Sequence, residues 1–236
     1  MGRRRPFAGV VALLLIVAPV GALPQVGTIP TGFRPIFNGT NTDGWHWSHS
    51  SHHGMTAQAV VEDGVLILKP HPFGQGGIFL TDKIYKDFDL SLEANPDPGY
   101  NSGVFLRSSE GGSAYQIELV RPGNTGGLLG ESMPLSAPTY IGPRVDINTV
   151  WKDGEWNAMR VRMVGAAPHI TLWINDVKMW EVQLPRNDQI AGLYGGMIGL
   201  QLHWSAAYSQ ATGARGGPAG PPQSQRFRNI AIKELN

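Results

Sequence analysis

The sequence predicts an all-β fold, a sandwich of two packed antiparallel sheets. Three observations carry that prediction. Nearly every periodic segment alternates apolar and polar residues with period two. Gly, Pro, Asn or Asp bounds each segment, and the 236 residues include 31 Gly and 18 Pro. Amphipathic helices do not intervene between the segments, which disfavours a βαβ arrangement.

The candidate strands, in order, are Val60–Lys69, Gly77–Thr81, Phe88–Ala94, Gly103–Ser108, Ala114–Val120, Trp156–Val164, His169–Ile174, Lys178–Gln183, Met197–His203 and Arg226–Glu234. Gly123–Val150 and Ser205–Gln225 read as long rim loops, the second rich in Gly, Ala and Pro. A hydrophobic share of 42%, with seven Trp and eight Phe, supplies a substantial core.

The formal net charge of +1 leaves no electrostatic footprint for nucleic acid, and no basic cluster beyond the first residues suggests a membrane patch. Arg3-Arg4-Arg5, the apolar run Phe7–Val20 and a small-residue site ending at Ala22 read as a signal peptide over 1–22. The expected organisation is that leader, an N-terminal lead over 23–35, and a single domain over 36–236, exported to the periplasm or secreted. With no cysteine, the chain has neither a lipoprotein anchor nor disulfides, so stability falls to the core.

Alternation divides five strands into an apolar set and a set rich in ionisable or amide groups. Phe88, Leu90 and Leu92 oppose Asp89, Ser91 and Glu93; Val104 and Leu106 oppose Phe105 and Arg107. Tyr115, Ile117 and Leu119 oppose Gln116 and Glu118. Ile170, Leu172 and Ile174 oppose Thr171 and Trp173, while Ile198, Leu200 and Leu202 oppose Gln201 and His203. If the five strands share a sheet, Glu93, Arg107, Gln116, Glu118, Gln201 and His203 converge, with Trp173 and Phe105 as flat surfaces. Such a groove suits a sugar, whose hydroxyls need fixed donors and acceptors and whose C–H faces pack on aromatics. A solvated outer sheet face would show the same alternation with more Lys, Ser and Thr.

Nine segments, in order, carry a resemblance. They are FNGTNTDGW (37–45), VEDGVL (61–66), YKDFDLSLEAN (85–95), GYNSGVFLRS (99–108), SAYQIELV (113–120), GEWNAMRVRMVG (154–165), ITLWIND (170–176), GMIGLQLHW (196–204) and FRNIAIKEL (227–235). Together they resemble the 3-keto-disaccharide hydrolase family over nearly the whole mature chain, and HHG (52–54) with GQGGI (74–78) looks like one subgroup of it. The resemblance implies a concanavalin-like jelly roll that cleaves glycosides already oxidised at C3 by a separate sugar dehydrogenase. It implies 1,2-elimination to a 2-hydroxy-3-keto-glucal, with hydration of that product as a companion activity. Three positions depart from the family pattern: Gln116 then Glu118 stand where Glu then Gln is common, and Trp204 where Gly follows the histidine.

A ketone at C3 acidifies the C2 proton, so the chemistry needs a base at C2, a stabiliser of the C3 oxygen and an acid for the departing oxygen. The expected assignment gives His203 or Glu118 as base, Arg107 on the enolate oxygen, and Glu93 as acid or as orienter of Arg107. A structural ion pair between Arg107 and Glu93 on neighbouring strands is the competing expectation. Gln116, Gln201, Trp173 and Phe105 would bind substrate, and so would Asn101, unless it serves a turn. His49, His52 and His53 lie in a Ser/His-rich loop; His52 or His53 could bond substrate, and the cluster alone is a weak metal signal. No cofactor is fixed by these residues, although a divalent ion could stabilise the enolate. Trp156, Met159, Phe227 and Ile230 read as core, and Asn157 and Asn229 as turn or strand-edge residues.

Two other functions fit the same architecture, since fold does not determine activity. A carbohydrate-binding module would need no acid and base. A laminarinase-like glycosidase would show closely spaced carboxylates on one strand face, and the nearest approach is Asp89 with Glu93. An adhesion or scaffold role fits the polar set of side chains least.

Overall fold

In a computed structural model, residues 1–2, 28–71, 74–99, 101–136, 141–189, 192–205, 209–210, 213 and 223–235 are described. The expected signal peptide therefore lies mostly outside the described residues, as does most of the Ser205–Gln225 segment.

Among the described residues, fourteen strands form two antiparallel sheets. In chain order they are β1 (Arg34–Pro35), β2 (Trp45–Trp47), β3 (Gln58–Glu62), β4 (Val65–Lys69), β5 (Gly77–Thr81), β6 (Phe88–Ala94) and β7 (Asn101–Ser108), then β8 (Ala114–Val120), β9 (Leu128–Glu131), β10 (Asn157–Val164), β11 (His169–Ile174), β12 (Val177–Gln183), β13 (Met197–Leu202) and β14 (Gln225–Glu234). The short helix α1 (Ile147–Val150) is capped by the Asp146 side chain, which accepts from the Asn148 N–H. The first sheet runs β12-β11-β10-β6-β14-β4-β3, with β1 also on β14; the second runs β2-β5-β13-β7-β8-β9.

The core lies between the sheets and is made by the apolar set of each alternating strand. Phe88, Leu90 and Leu92, with Val161, Leu172, Phe227 and Ile232, face Val104, Leu106, Ile117, Leu119, Leu200 and Leu202 across the sandwich. These side chains are at most 1% exposed, so the apolar set of each of the five strands faces the core as expected. Methyl by methyl, this burial is the main stabilising contribution in a chain without disulfides.

The structure corrects several expected elements. Val60–Lys69 is two strands, because Asp63 (φ 49°) and Gly64 (φ 79°) make the left-handed turn typical of a two-residue hairpin. Gly123–Val150 holds β9 and α1 rather than loop alone. Trp156 is half-buried at the surface beneath the Arg228 guanidinium, 4.1 Å from the ring centre, and not part of the core. Asn101 starts β7, opposite Val120, instead of making a turn. Among the described residues, no helix is long and apolar enough to cross a membrane.

Candidate active site on the outer face of the second sheet

Of the five alternating strands, only β7, β8 and β13 share a sheet; β6 and β11 belong to the other one. Their polar sets therefore point in opposite directions, away from the core. Glu93 accepts from Arg228 Nε at 2.6 Å and Asn229 Nδ2 at 3.1 Å, both on β14. Trp173 stacks under Arg160, 5.0 Å from the ring centre. These two residues, with Arg160 and Asn229, border a separate hollow of about 510 Å³ on the first sheet. The expectation that Glu93 and Trp173 join the groove is corrected.

Arg107 leaves the groove for a different reason. It has φ 51°, and the β7–β13 register shifts opposite it between Met197 and Gly199. The left-handed residue breaks the alternation and turns the side chain into the protein, where it is 0% exposed. Its Nε donates to Lys86 O at 2.7 Å, Nη1 to Gly165 O at 2.9 Å and Nη2 to Asp87 Oδ1 at 2.9 Å. Tyr194 covers the guanidinium at 5.0 Å and donates its hydroxyl to Asp87 at 2.6 Å. The ion pair is thus with Asp87 and not Glu93. Burial lowers the Arg107 pKa, an effect opposed by Asp87. Phe105 does lie on the outer face but is 0% exposed, packed with Ile78, Leu80 and Ala114 in a small apolar cluster, so it offers no surface to a ligand.

What the second sheet does bring together is a polar row across three strands. Gln116 on β8 donates to Gln201 Oε1 on β13 at 3.1 Å, passing over β7 at Gly103. Any Cβ at Gly103 would stand 2.3 Å from Gln116 Nε2, so the absence of a side chain there lets the row close. Gln201 Nε2 continues to His53 Nε2 at 3.0 Å. Both glutamines and His53 are almost fully buried, at 3%, 1% and 2% exposure.

Glu118, two residues beyond Gln116, lies on the same face, and Asn101 begins the strand beside it. Gln116 Oε1, Glu118 Oε2 and His53 Nδ1 are buried without hydrogen-bond partners among the described residues. Buried polar atoms of this kind are uncommon and suit a site completed by a ligand. Burial raises the Glu118 pKa, with repulsion from Glu131 adding to it and a hydrogen bond from Asn124 opposing it.

His203 follows β13 on the Gln201 face. Its Nδ1 lies 3.0 Å from Trp204 O, so Nδ1 carries the proton and Nε2 keeps a lone pair. Burial pushes its pKa down to about 4, with His53 adding to the effect, so the ring is neutral at pH 7. Trp204, the residue that departs from the family pattern, packs against both imidazoles, with ring centres 4.2 Å from His203 and 5.0 Å from His53.

The sequence reading missed Glu131, at the end of β9. Its Oε1 lies 3.2 Å from His52 Nε2 and 3.5 Å from His53 Nε2. Burial pulls its pKa upward, but His53 and His52 outweigh that and hold it below the ordinary carboxylate value. Burial and His53 together lower the His52 pKa. His49 stands apart, near Glu110, and is exposed.

Imidazole, carboxyl and amide groups on one outward face of a jelly-roll sandwich suit a carbohydrate ligand. The 3-keto-alpha-glucoside-1,2-lyase-like domain family matches residues 32–233, and the chain belongs to that family. No curated protein matches it. Among solved structures, a Parabacteroides distasonis protein assigned as a glycosyl hydrolase is 18% identical with a TM-score of 0.58, over 87% of this chain and 94% of that one. A second protein of that organism with the same assignment is 23% identical, TM-score 0.53, over 86% and 99%. The Bacillus licheniformis beta-glucanase is 13% identical, TM-score 0.55, over 85% and 96%. These likenesses show a shared concanavalin-type jelly roll.

Proposed function

We propose that this chain cleaves 3-keto-glycosides by 1,2-elimination on the outer face of the second sheet, and hydrates the resulting glucal. The observation that carries the reading is the pair of buried, unpartnered acceptors, Gln116 Oε1 and Glu118 Oε2, on one face with the neutral imidazole of His203. Sugar hydroxyls are the donors those acceptors lack. His203 Nε2 takes the C2 proton; the C–H electron pair becomes the C1–C2 double bond as the C1–O bond breaks. Glu118, its pKa raised by burial, supplies the proton to the departing oxygen. Gln116 and Gln201 orient the ring, with Asn101 at the margin. Arg107 is committed to Asp87 and takes no part; the groups left to face the C3 oxygen are at the His52–His53 end of the row.

The N-terminal Arg3-Arg4-Arg5 and the apolar run after it fit export, and a 3-keto substrate requires a separate oxidation at C3 before this enzyme acts.

Incubation with a 3-keto-glucoside and, in parallel, the unoxidised glucoside tests the reading. The expected result is release of the C1 substituent from the oxidised sugar only, with a transient glucal chromophore. Cleavage of the unoxidised sugar alone would make the chain an ordinary glycosidase; binding without turnover of either would make it a binding module.

A further inference from the structure

Beside this face lies a group of side chains that the two proton transfers of the elimination do not use. His52 and His53, in the loop between β2 and β3, and Glu131, at the end of β9, place one ligand atom each within 4.8 Å of one another. Glu131 Oε1 is 3.2 Å from His52 Nε2 and 3.5 Å from His53 Nε2. Ligands bound at about 2.0–2.1 Å around a tetrahedral ion stand about 3.3–3.4 Å apart, so the two separations bracket one edge of such a site. We infer that His52, His53 and Glu131 hold one divalent transition-metal ion through these three atoms.

A second observation points the same way. His53 Nε2 meets two partners with opposite demands: the Gln201 amide N–H needs a lone pair, and the Glu131 carboxylate needs a proton. One imidazole nitrogen satisfies only one of them. A cation reconciles nitrogen and carboxylate, since both then donate lone pairs to it. No Lys or Arg pairs with Glu131 among the described residues; its carboxylate meets the two imidazoles and the Ser132 hydroxyl.

Two imidazoles and a carboxylate favour an ion of the zinc or cobalt class over magnesium or calcium, which prefer oxygen ligands. Three protein ligands leave a coordination position open to a substrate oxygen. Metal binding stands on the geometry alone; a role for the ion in offsetting charge on the C3 oxygen rests on the lyase reading.

The test uses full-length protein stripped by a chelator and titrated with Co²⁺, read by visible absorption and by metal analysis. One Co²⁺ per chain is expected, with a d–d band that Zn²⁺ abolishes and Mg²⁺ leaves intact. Glu131→Gln and His52→Asn should each weaken the affinity at least tenfold. Circular dichroism accompanies both variants, and His52, half exposed, gives the readable one if Glu131→Gln does not fold. No stoichiometric Co²⁺, or equal affinity in the folded variants, overturns the site. Should Co²⁺ bind while 3-keto-glucosides are left intact, the site stands and the lyase reading falls. Turnover undiminished in the stripped protein would leave the lyase reading and remove the ion from it.

Discussion

Gln116, Gly103 and Gln201 occupy three consecutive strands, and the bond between the two amides exists because the middle residue has no side chain. Gly103 and Arg107 are four residues apart on β7, yet their substitutions are expected to act oppositely. Gly103→Ala puts a methyl 2.3 Å from Gln116 Nε2, a movable side-chain end, so the amide row opens while the strand survives. Turnover should fall by about tenfold or more, with stability lowered by no more than about 1–2 kcal/mol. Arg107→Ala removes a wholly buried guanidinium and three hydrogen bonds. It should cost about 3–5 kcal/mol, read by urea unfolding, while kcat per folded molecule holds. Loss of activity from Arg107→Ala at unchanged stability would return Arg107 to the site.

At the scale of elements, β2 is the edge of the second sheet, and one side chain latches it. His46 lies 2.6 Å from Asp82 Oδ1 and 3.1 Å from Glu110 Oε2, joining the edge to segments beyond β5 and β7. Burial works against its protonation, but the hydrogen bonds to Glu110 and Asp82 outweigh that and raise its pKa above the ordinary histidine value. A raised folded-state pKa means that the folded chain holds the proton more tightly than the unfolded chain. The latch is therefore at full strength below about pH 6.5 and fades as pH rises through the higher folded value. With partly exposed partners it is worth about 1 kcal/mol or less. The melting-temperature gap between wild type and His46→Gln should be present at pH 5.5–6 and shrink by pH 8.5; a gap that widens with pH would contradict the assignment.

Elements also set the limit of what the sequence discloses. Alternation is a property of a single strand, so it assigned inward and outward faces on β6, β8, β11 and β13, and on β7 as far as Leu106, as the structure has them. Which sheet a strand joins depends on pairings between distant segments, such as β6 with β14 or β7 with β13, and alternation is silent on these. Glu93 and Trp173 were misplaced for that reason. Glu131 was missed because β9 has four residues and too little length to show a period. Arg107 was misread because a single left-handed residue cancels the alternation it was read from.

On the scale of the whole molecule, the sandwich turns two polar faces to solvent, and the chemistry is assigned to only one. The face on the first sheet has an aromatic ring, a guanidinium and a carboxylate at Trp173, Arg160 and Glu93, as a sugar site would. Its polar groups, however, are paired with one another: Glu93 with Arg228 and Asn229, Arg160 with Asp89. The face on the second sheet instead keeps buried acceptors without partners. Satisfied ion pairs hold a surface together, whereas unsatisfied buried acceptors cost stability unless a ligand completes them. The two faces should therefore respond differently to mutation. Glu93→Gln and Trp173→Ala are expected to retain kcat/KM for a 3-keto-glucoside within about threefold, their effect falling on thermal stability. Gln116→Ala and His203→Asn should lower kcat/KM by about a hundredfold or more, the range removal of a positioned base produces. A hundredfold loss in Trp173→Ala or Glu93→Gln, with Gln116→Ala close to wild type, would move the active site to the opposite side of the sandwich.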